Sequence, residues 1–221
     1  MKRILCYGDS NTWGYNAAQK HEATGLPDRF DENTRWTGIM RNILGPDYFV
    51  WEAGLGGRTT AFDDPLMPTR NGVKDFEMCL QMCDPVDCII FALGTNDTKD
   101  LFNASSLIIT SAMERLLNVC NAAMCFSRSP NAQIILACPM IPVADGNGEY
   151  QYGFSELSTQ RGEELRQRYR LLAEQKNCAF IDLNALAKPS AADGVHLDPA
   201  GHKAIGHAMA KLVQSILSEK D

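Results

Sequence analysis

Five short, almost wholly apolar runs alternate with amphipathic segments along this chain, and this alternation limits the fold more than any other feature. Runs with so few polar residues are typical of strands that are covered on both faces of a sheet. The predicted strands are residues 3–8, 48–53, 86–94, 132–139 and 178–183. The predicted helices are residues 34–45, 73–83, 105–125 and 158–177, and a last helix with Asp198 as N-cap and Pro199 in its first turn.

This order of elements predicts an α/β protein in which helices cover both faces of a central parallel five-stranded sheet. A chain of 221 residues with 45% hydrophobic composition can bury a full core, in one substantial domain or at most two small ones. Two segments, residues 16–33 and 140–157, are longer than plain connections and are rich in glycine, polar and aromatic residues. We expect both to form walls of a pocket.

Charge and hydropathy exclude several classes of protein. The net charge of −6 argues against a nucleic-acid-binding protein, which would present a basic face. No run approaches the roughly 18 apolar residues of a membrane span. The apolar run at residues 4–7 is also shorter than the roughly 7 to 15 residues that a secretory signal requires. We therefore expect a soluble, cytoplasmic protein with no membrane partner.

The eight cysteines fit a reducing compartment. Cys6, Cys88 and Cys138 lie within predicted strands, where a free thiol behaves as a small apolar side chain. The more closely spaced cysteines lack the second pair, or the histidines, that would complete a zinc site. His202 and His207 lie on the last predicted helix, where we expect them to pack or to face solvent. The sequence therefore predicts no metal and no cofactor.

The residues that follow the predicted strands carry the groups needed for one kind of chemistry. Ser10 follows the first strand in the motif GDSN, Gly57 lies in a glycine-rich turn after the second, and Asn96 follows the third. The carboxyl ends of parallel strands meet at one edge of the sheet, where ligands bind. A loop near the end of the chain adds Asp193 and His196, spaced as Asp-x-x-His. We expect all five residues at one rim.

These residue types suit the attack of a serine on a carbonyl carbon. A serine hydroxyl is a weak nucleophile until an imidazole accepts its proton, as His196 can do for Ser10. Asp193 can accept from the other ring nitrogen and fix the tautomer. For the oxyanion we expect three donors: the N–H groups of Ser10 and Gly57 and the side-chain amide of Asn96. Taken alone, Ser10 is equally well interpreted as a helix N-cap, and Asn96 as a turn residue.

The four blocks GDSNTWG, the turn that contains Gly57, GTND and DGVHLD resemble those of the SGNH, or GDSL-type, esterase/lipase superfamily. They span residues 8–198 in the order of that family. The resemblance implies a three-layer, flavodoxin-like α/β/α fold as a single domain over residues 1–221. It also implies a serine esterase without a cofactor. The implied catalytic residues are Ser10, Asp193 and His196, and the implied oxyanion-hole donors are Ser10, Gly57 and Asn96.

Several longer stretches are similar to the arylesterase/acyltransferase branch of that superfamily: ILCYGDSNTWG, RFDENTRWTGIM, EAGLGGRTTAFDDP and LGTNDTK. Proteins of this branch cleave small, mostly acetyl, esters; some transfer the acyl group to an alcohol or to peroxide, and some assemble as octamers. The resemblance therefore implies a small ester substrate and a homo-oligomer. Two positions depart from the pattern: Glu52 stands where many members have asparagine, and residues 56–57 are both glycine where some members carry side chains.

Other functions stay open on the sequence alone. A carbohydrate O-acetyl esterase would belong to the same superfamily and use the same residues. A non-catalytic, flavodoxin-like binding module would keep the fold without turnover. Trp13, three residues after the serine, either forms the floor of a substrate pocket or packs in the core.

Overall fold

The apolar runs form one parallel sheet in the computed structural model, which describes residues 1–218. The strands are β1 (Lys2–Gly8), β2 (Tyr15–Lys20), β3 (Pro27–Arg29), β4 (Tyr48–Gly54), β5 (Cys88–Ala92), β6 (Gln133–Cys138) and β7 (Ala179–Asp182). Five of them form the sheet in the order β4-β1-β5-β6-β7, with every neighbouring pair parallel. Gly8, at the end of β1, pairs with Gly54 of β4 and with Ala92 of β5. Three strand ends are therefore level with one another at the same edge.

Helices cover both faces of this sheet. They are α1 (Ser10–Trp13), α2 (Trp36–Leu44), α3 (Gly72–Cys83), α4 (Ser106–Cys125), α5 (Glu156–Gln175) and α6 (Pro199–Ser218), with short 3₁₀ turns at Asn96–Thr98, Asp100–Phe102 and Leu183–Ala185. One apolar layer contains α3, α4 and α5, and the other contains α2 and α6. The α/β/α architecture and the parallel five-stranded sheet are as predicted.

Alternate residues of the central strand β1 face the two layers. Leu5 and Tyr7 pack with α3, α4 and α5, whereas Ile4 and Cys6 pack with α2 and α6. All four side chains are fully buried. Because both faces are covered, the strand needs apolar residues at successive positions, which explains the continuous apolar run in the sequence.

Polar side chains determine where several helices begin. Asn71 accepts a hydrogen bond from the N–H of Val73 at the start of α3, and Ser105 caps α4 in the same way. Asp198 accepts from the N–H of Gly201 at 2.7 Å, as expected of the predicted N-cap of α6. Helix α5 begins at Glu156, two residues before the predicted start, because residue 155 is a serine that forms a capping box.

The segment 16–33, which the sequence predicts only as a wall of a pocket, contains regular structure. Strands β2 and β3 pair there as a small antiparallel sheet, in which Tyr15 lies opposite Arg29. Sequence patterns do not indicate it, since β3 has only three residues, Pro27–Arg29, and β2 ends in exposed polar side chains. The sheet extends from the end of α1, so it fixes one side of the strand-end edge.

All eight cysteines are free thiols, and the three predicted to lie in strands, Cys6, Cys88 and Cys138, are buried there.

None of the helices within residues 1–218 is both long enough and apolar enough to cross a bilayer.

Candidate active site

Ser10 lies at the carboxyl end of β1, as the first residue of the short helix α1. The Asp9 side chain caps this helix by accepting from the N–H of Asn11 at 2.9 Å. The turn requires glycine before it: a Cβ on Gly8 would lie 2.0 Å from the hydroxyl oxygen of Thr12. The sharp turn from strand to helix therefore fixes Ser10 at the edge of the sheet.

His196 and Asp193 lie next to Ser10, although almost the whole chain separates them from it. The Nε2 atom of His196 is 2.8 Å from Oγ of Ser10, and its Nδ1 atom is 2.5 Å from Oδ2 of Asp193. Because an ionised carboxylate only accepts hydrogen bonds, Nδ1 carries the ring proton. Nε2 is then free to accept the hydrogen bond of the serine hydroxyl.

The Asp193 carboxylate is held in its charged form. Burial alone would raise its pKa, but the hydrogen bond and charge of His196 and the N–H groups of His196 and Val195 act in the opposite direction. The pKa of Asp193 lies below its ordinary value as a result. Its Oδ1 atom accepts from the N–H of Val195 at 3.0 Å and of His196 at 2.9 Å. The residue therefore shapes its own loop while it orients the imidazole.

Asn11 holds the loop that carries the histidine, a role that the sequence analysis does not identify. Its Oδ1 atom accepts from the N–H of Leu197 at 2.9 Å, and its Nδ2 atom donates to the carbonyl of Val195 at 3.3 Å. These two backbone groups flank His196 on either side. The residue after the serine therefore fastens the histidine loop to α1.

Gly57 and Asn96 lie on the same rim as Ser10. Gly57 has a left-handed backbone with φ of +79°, and its N–H has no acceptor among the described residues. The Nδ2 atom of Asn96 donates one hydrogen to the carbonyl of Arg58 at 3.1 Å, which leaves the second for a ligand. Arg58 in turn donates to the carbonyls of Gly8 and Ala53 and fixes this loop against β1. Ser10 is the first residue of α1, so its N–H also lacks an intrahelical acceptor.

A cavity of about 540 Å³ opens over these groups. Ser10, Gly57, Asn96 and His196 all line it, whereas Asp193 lies behind the histidine. Trp13 is part of its wall, below the guanidinium of Arg29, whose carbon lies 5.2 Å from the ring centre. Both segments expected to form walls contribute residues: Leu26 and Pro27 from the first, and Tyr152 and Phe154 from the second.

Two tyrosines enclose the imidazole, and the sequence analysis overlooks both. The Tyr15 ring lies 3.8 Å from the His196 ring, centre to centre, with 19° between the planes. The Tyr152 ring meets the histidine edge-on at 5.6 Å. The two tyrosine hydroxyl groups are 3.1 Å apart. One signal was available: both residues belong to or border the segments predicted to wall a pocket.

Two further carboxyl groups are buried below the rim. Burial raises the pKa of Asp9 to about 6, although the N–H of Asn11 opposes the shift. Burial likewise raises the pKa of Asp97 to about 6, against the hydrogen bonds that it accepts from the hydroxyl and N–H groups of Thr60. Each carboxyl group supports a loop of the site without lining the cavity.

The remaining histidines lie outside this constellation. His202 is buried on α6, where its Nδ1 atom accepts from the N–H of Trp36 and burial lowers its pKa to about 4. His21 and His207 are exposed. Within residues 1–218, no three histidine, cysteine or acidic side chains are grouped so as to hold a metal ion.

Comparison with known proteins identifies relatives over almost the full chain. The sequence model of the GDSL-like lipase/acylhydrolase family matches residues 6–204. A search of curated protein sequences found no match.

Several solved structures are similar in fold and sequence. The aryl esterase of M. smegmatis is 34% identical with a TM-score of 0.88, over 97% of this chain and 99% of that one. A carbohydrate acetylesterase of Sinorhizobium meliloti is 29% identical with a TM-score of 0.87, over 98% of this chain and 100% of its own. A carbohydrate acetylesterase family member from the same organism is 32% identical with a TM-score of 0.85, over 99% and 100% of the two chains. On this evidence the chain belongs to the GDSL-like lipase/acylhydrolase family.

Proposed function

We propose that this protein is a serine esterase that hydrolyses small carboxylic esters through an acyl-serine intermediate. The preferred substrates are acetate esters, including those of aryl alcohols. The observation that carries the proposal is the contact of 2.8 Å between Oγ of Ser10 and Nε2 of His196 at the base of an open cavity. Membership of the family and the esterase neighbours support ester hydrolysis as the class of reaction. Ser10 is the nucleophile in this proposal.

In the first half of the reaction, Oγ of Ser10 attacks the ester carbonyl carbon while Nε2 of His196 takes the hydroxyl proton. The carbonyl oxygen becomes an oxyanion as its π bond breaks. When the intermediate collapses, the C–O bond to the alcohol breaks and His196 returns the proton to the leaving oxygen. Asp193 stabilises the imidazolium that exists between these two transfers.

Three donors face the developing oxyanion in this mechanism: the N–H groups of Ser10 and Gly57 and the second amide hydrogen of Asn96. None of these three hydrogens has an acceptor among the described residues, so each is available to the oxyanion. Because these donors are fixed before the reaction, they need little reorganisation when the charge forms. Loss of one such donor typically costs about 10²–10³ in rate.

In the second half, Nε2 of His196 takes a proton from water as the water oxygen attacks the acyl carbon. When this intermediate collapses, the bond from the acyl carbon to Oγ of Ser10 breaks, His196 returns the proton to Oγ, and the carboxylic acid leaves. An alcohol or hydrogen peroxide can take the place of water and receive the acyl group. The cavity walls are mostly apolar, with Trp13, Leu26, Met67 and Phe154 among them, which favours a hydrophobic acceptor or leaving group. The tyrosines over His196 narrow the approach to the serine, so we propose short acyl chains as the preferred substrates.

A carbohydrate O-acetyl esterase is the second candidate function. Its support is the similarity to the Sinorhizobium meliloti acetylesterase, together with aromatic side chains at the cavity, Trp13, Tyr15 and Tyr152, on which a sugar ring can stack. A non-catalytic binding module has less support, because such a protein would have no need for a histidine in hydrogen-bond contact with the serine.

The first test is hydrolysis of 4-nitrophenyl acetate, butyrate and octanoate by the wild type and by Ser10→Ala. We expect the acetate to be turned over best and the variant to lose at least about 10⁴-fold in kcat, as in other serine triads. Equal rates in the two proteins would refute the esterase. A rate that peaks at octanoate would refute the short acyl preference alone. Release of acetate from acetylated xylose, compared with phenyl acetate, separates the two candidate substrates.

A further inference from the structure

The cavity over Ser10 contains two positively charged side chains, Lys99 and Arg70. No aspartate or glutamate is among the described residues that line it. Neither cation forms an ion pair with another of residues 1–218. Most cations of a protein surface are either fully hydrated or paired, so two unpaired cations in a largely apolar cavity call for an explanation.

Lys99 belongs to the same turn as the oxyanion-hole residue. Its N–H donates to the carbonyl of Asn96 at 3.2 Å, which places the two residues one 3₁₀ turn apart. The ammonium nitrogen lies 5.4 Å from the centre of the Phe154 ring. Burial lowers the pKa of Lys99, and the nearby charges of Asp64, Asp9 and Asp97 oppose this shift without cancelling it.

Arg70 lies on the other side of the oxyanion hole. A Cβ built on Gly57 would be 3.5 Å from both Cδ and Nε of Arg70. Its Nη1 atom donates to the carbonyl of Pro68 and to the hydroxyl of Thr69, and its Nε atom is buried without an acceptor among the described residues. Thr69 has φ of +64°, an unfavourable conformation for a β-branched residue, and it directly precedes the arginine. Such strain is found preferentially at functional positions.

The buried carboxyl groups do not account for Lys99. Asp9 accepts from the N–H of Asn11, and Asp97 accepts from Thr60, so each already has hydrogen-bond donors. Neither is in contact with the ammonium group. The Lys99 side chain lines the cavity instead.

We infer that the ester this site takes carries a carboxylate, which Lys99 and Arg70 bind while the ester carbonyl lies at Ser10. This inference rests on the proposed esterase function and specifies its substrate class. The carboxylate belongs either to the alcohol half, as in an acetylated hydroxy acid, or to the acyl half, as in a half-ester of a dicarboxylic acid. Charge-assisted hydrogen bonds to a carboxylate in such a partly desolvated site are stronger than neutral ones.

Two matched pairs of esters test the inference in the full-length protein. For the alcohol half, 3-acetoxybenzoate is compared with its neutral methyl ester. For the acyl half, the 4-nitrophenyl half-ester of glutaric acid is compared with 4-nitrophenyl pentanoate. We expect kcat/KM to favour the anionic member of one pair by about tenfold, chiefly through KM, as one charge-assisted contact would give. The favoured pair identifies the half that carries the carboxylate.

The readout in variants is the ratio of kcat/KM for the anionic ester to that for the neutral one. Lys99→Met or Arg70→Met lowers this ratio about tenfold, whereas Lys203→Met, at an exposed position on α6, leaves it unchanged. In the wild type, raising the salt concentration lowers the ratio because ions screen the contact. This measurement needs no variant to fold.

The inference and the proposed function fail in different ways. If neutral esters are hydrolysed by a Ser10-dependent reaction but neither pair favours its anion, the carboxylate site does not exist. The same conclusion follows if both variants leave the ratio unchanged, in which case Lys99 only balances the charges of Asp64, Asp9 and Asp97. If Ser10→Ala is as active as the wild type on every ester, the esterase itself is refuted.

Discussion

The ring of Tyr15 lies almost parallel to the His196 imidazole, at a centroid distance of 3.8 Å. Tyr152 closes the other direction, with its ring edge against the histidine and its hydroxyl 3.1 Å from that of Tyr15. Tyr152 has φ of +56°, which is uncommon outside glycine, so the chain holds it there against its own backbone preference. The imidazole plane is thus set by one stacked ring, one edge and the Asp193 carboxylate.

Tyr15 is a positioning residue in this arrangement, and Tyr15→Leu should lower kcat for phenyl acetate by about tenfold, the upper range of an aromatic pair. The stack fixes the plane in which Nε2 meets the serine hydroxyl, so its loss lets the ring turn away. Tyr15→Phe keeps the stack and removes only the bond to Tyr152, and we expect it to recover most of kcat. A phenylalanine variant as slow as the leucine variant would contradict the stacking role. The measurement is steady-state kcat of the Tyr15→Leu and Tyr15→Phe variants with phenyl acetate.

Asn11 gives a second test of how the histidine is held. The family takes its name from a motif whose fourth letter is leucine, and this chain has asparagine there. Asn11→Leu would leave the buried N–H of Leu197 and carbonyl of Val195 without partners, at a cost of about 1–3 kcal/mol each. We expect a lower melting temperature and a lower kcat, with KM nearly unchanged.

The control for this change is Asn42→Leu, at an exposed position outside the site, which should affect neither quantity. Asn11→Asp retains the acceptor for the N–H of Leu197 but loses the donor to Val195. The second carboxylate oxygen would then face the carbonyl of Val195, buried and without a donor, so the melting temperature of this variant should be no higher than that of Asn11→Leu. If Asn11→Leu is as active and stable as the wild type, the hydrogen bonds of Asp193 and the backbone bonds to the carbonyls of Gly194 and His196 suffice to hold the loop.

Gly194 lies in the loop between Asp193 and His196, where an added side chain would bring both backbone strain and a steric collision. It has φ of +69°, and a Cβ would lie 2.0 Å from the carbonyl oxygen of Val143. Gly194→Ala must therefore displace the loop, and a shift of about 1 Å in a catalytic group can cost about 10² in rate. Gly148 has φ of +84° and no heavy atom within 4 Å of the same point.

Gly148→Ala is accordingly the matched control, since it carries the backbone strain of about 1–2 kcal/mol without the collision. We expect it to lower the melting temperature slightly and to keep the esterase rate. Gly194→Ala should lose activity by at least about 100-fold. Equal rates in the two alanine variants would mean that the loop adjusts freely at Val143.

Sequence patterns predict the place of a residue best where one local rule fixes it. The carboxyl ends of neighbouring parallel strands lie at one edge of the sheet, so the sequence alone predicts that Ser10 and Asn96 share a rim. The contact between Tyr15 and Tyr152 joins residues 137 positions apart, one at the start of the short strand β2 and one outside any helix or strand. No periodic pattern in the sequence indicates where either side chain points. The same reason explains why Lys99 and Arg70 went unnoticed: each is an ordinary charged residue until the loops bring them to one cavity.

Glu52 shows an intermediate case. The sequence marks it as a departure from the usual asparagine, but not why the carboxylate is present. In the structure it pairs with Arg35 at 2.6 Å and Arg29 at 3.3 Å, and it accepts from the hydroxyl of Thr37 at 2.6 Å. Burial would raise the pKa of Glu52, but these partners together lower it. A neutral asparagine could not balance two guanidinium groups, so this substitution follows from partners that only the fold identifies.

Asp97 predicts how stability depends on pH. Its folded pKa of about 6 lies above the ordinary value of about 3.9 in an unfolded chain. Between these values the folded state binds the proton more tightly, so this group favours folding at low pH, and its contribution is lost as pH rises through about 6. In Asp97→Asn this dependence is absent. Asp97→Asn should therefore lower the free energy of unfolding by about 2 kcal/mol more at about pH 4.5 than at about pH 7.5.

Urea unfolding of both proteins at the two pH values measures this difference directly. Asp9 remains in both, so its own protonation largely cancels in the comparison. Leu80→Ala is the control, since Leu80 is buried, apolar and in the core layer of α3, and its cost should be the same at both pH values. If the cost of Asp97→Asn is also independent of pH, the carboxyl group is not protonated in this range. Thr60 would then stabilise its charged form enough to offset burial.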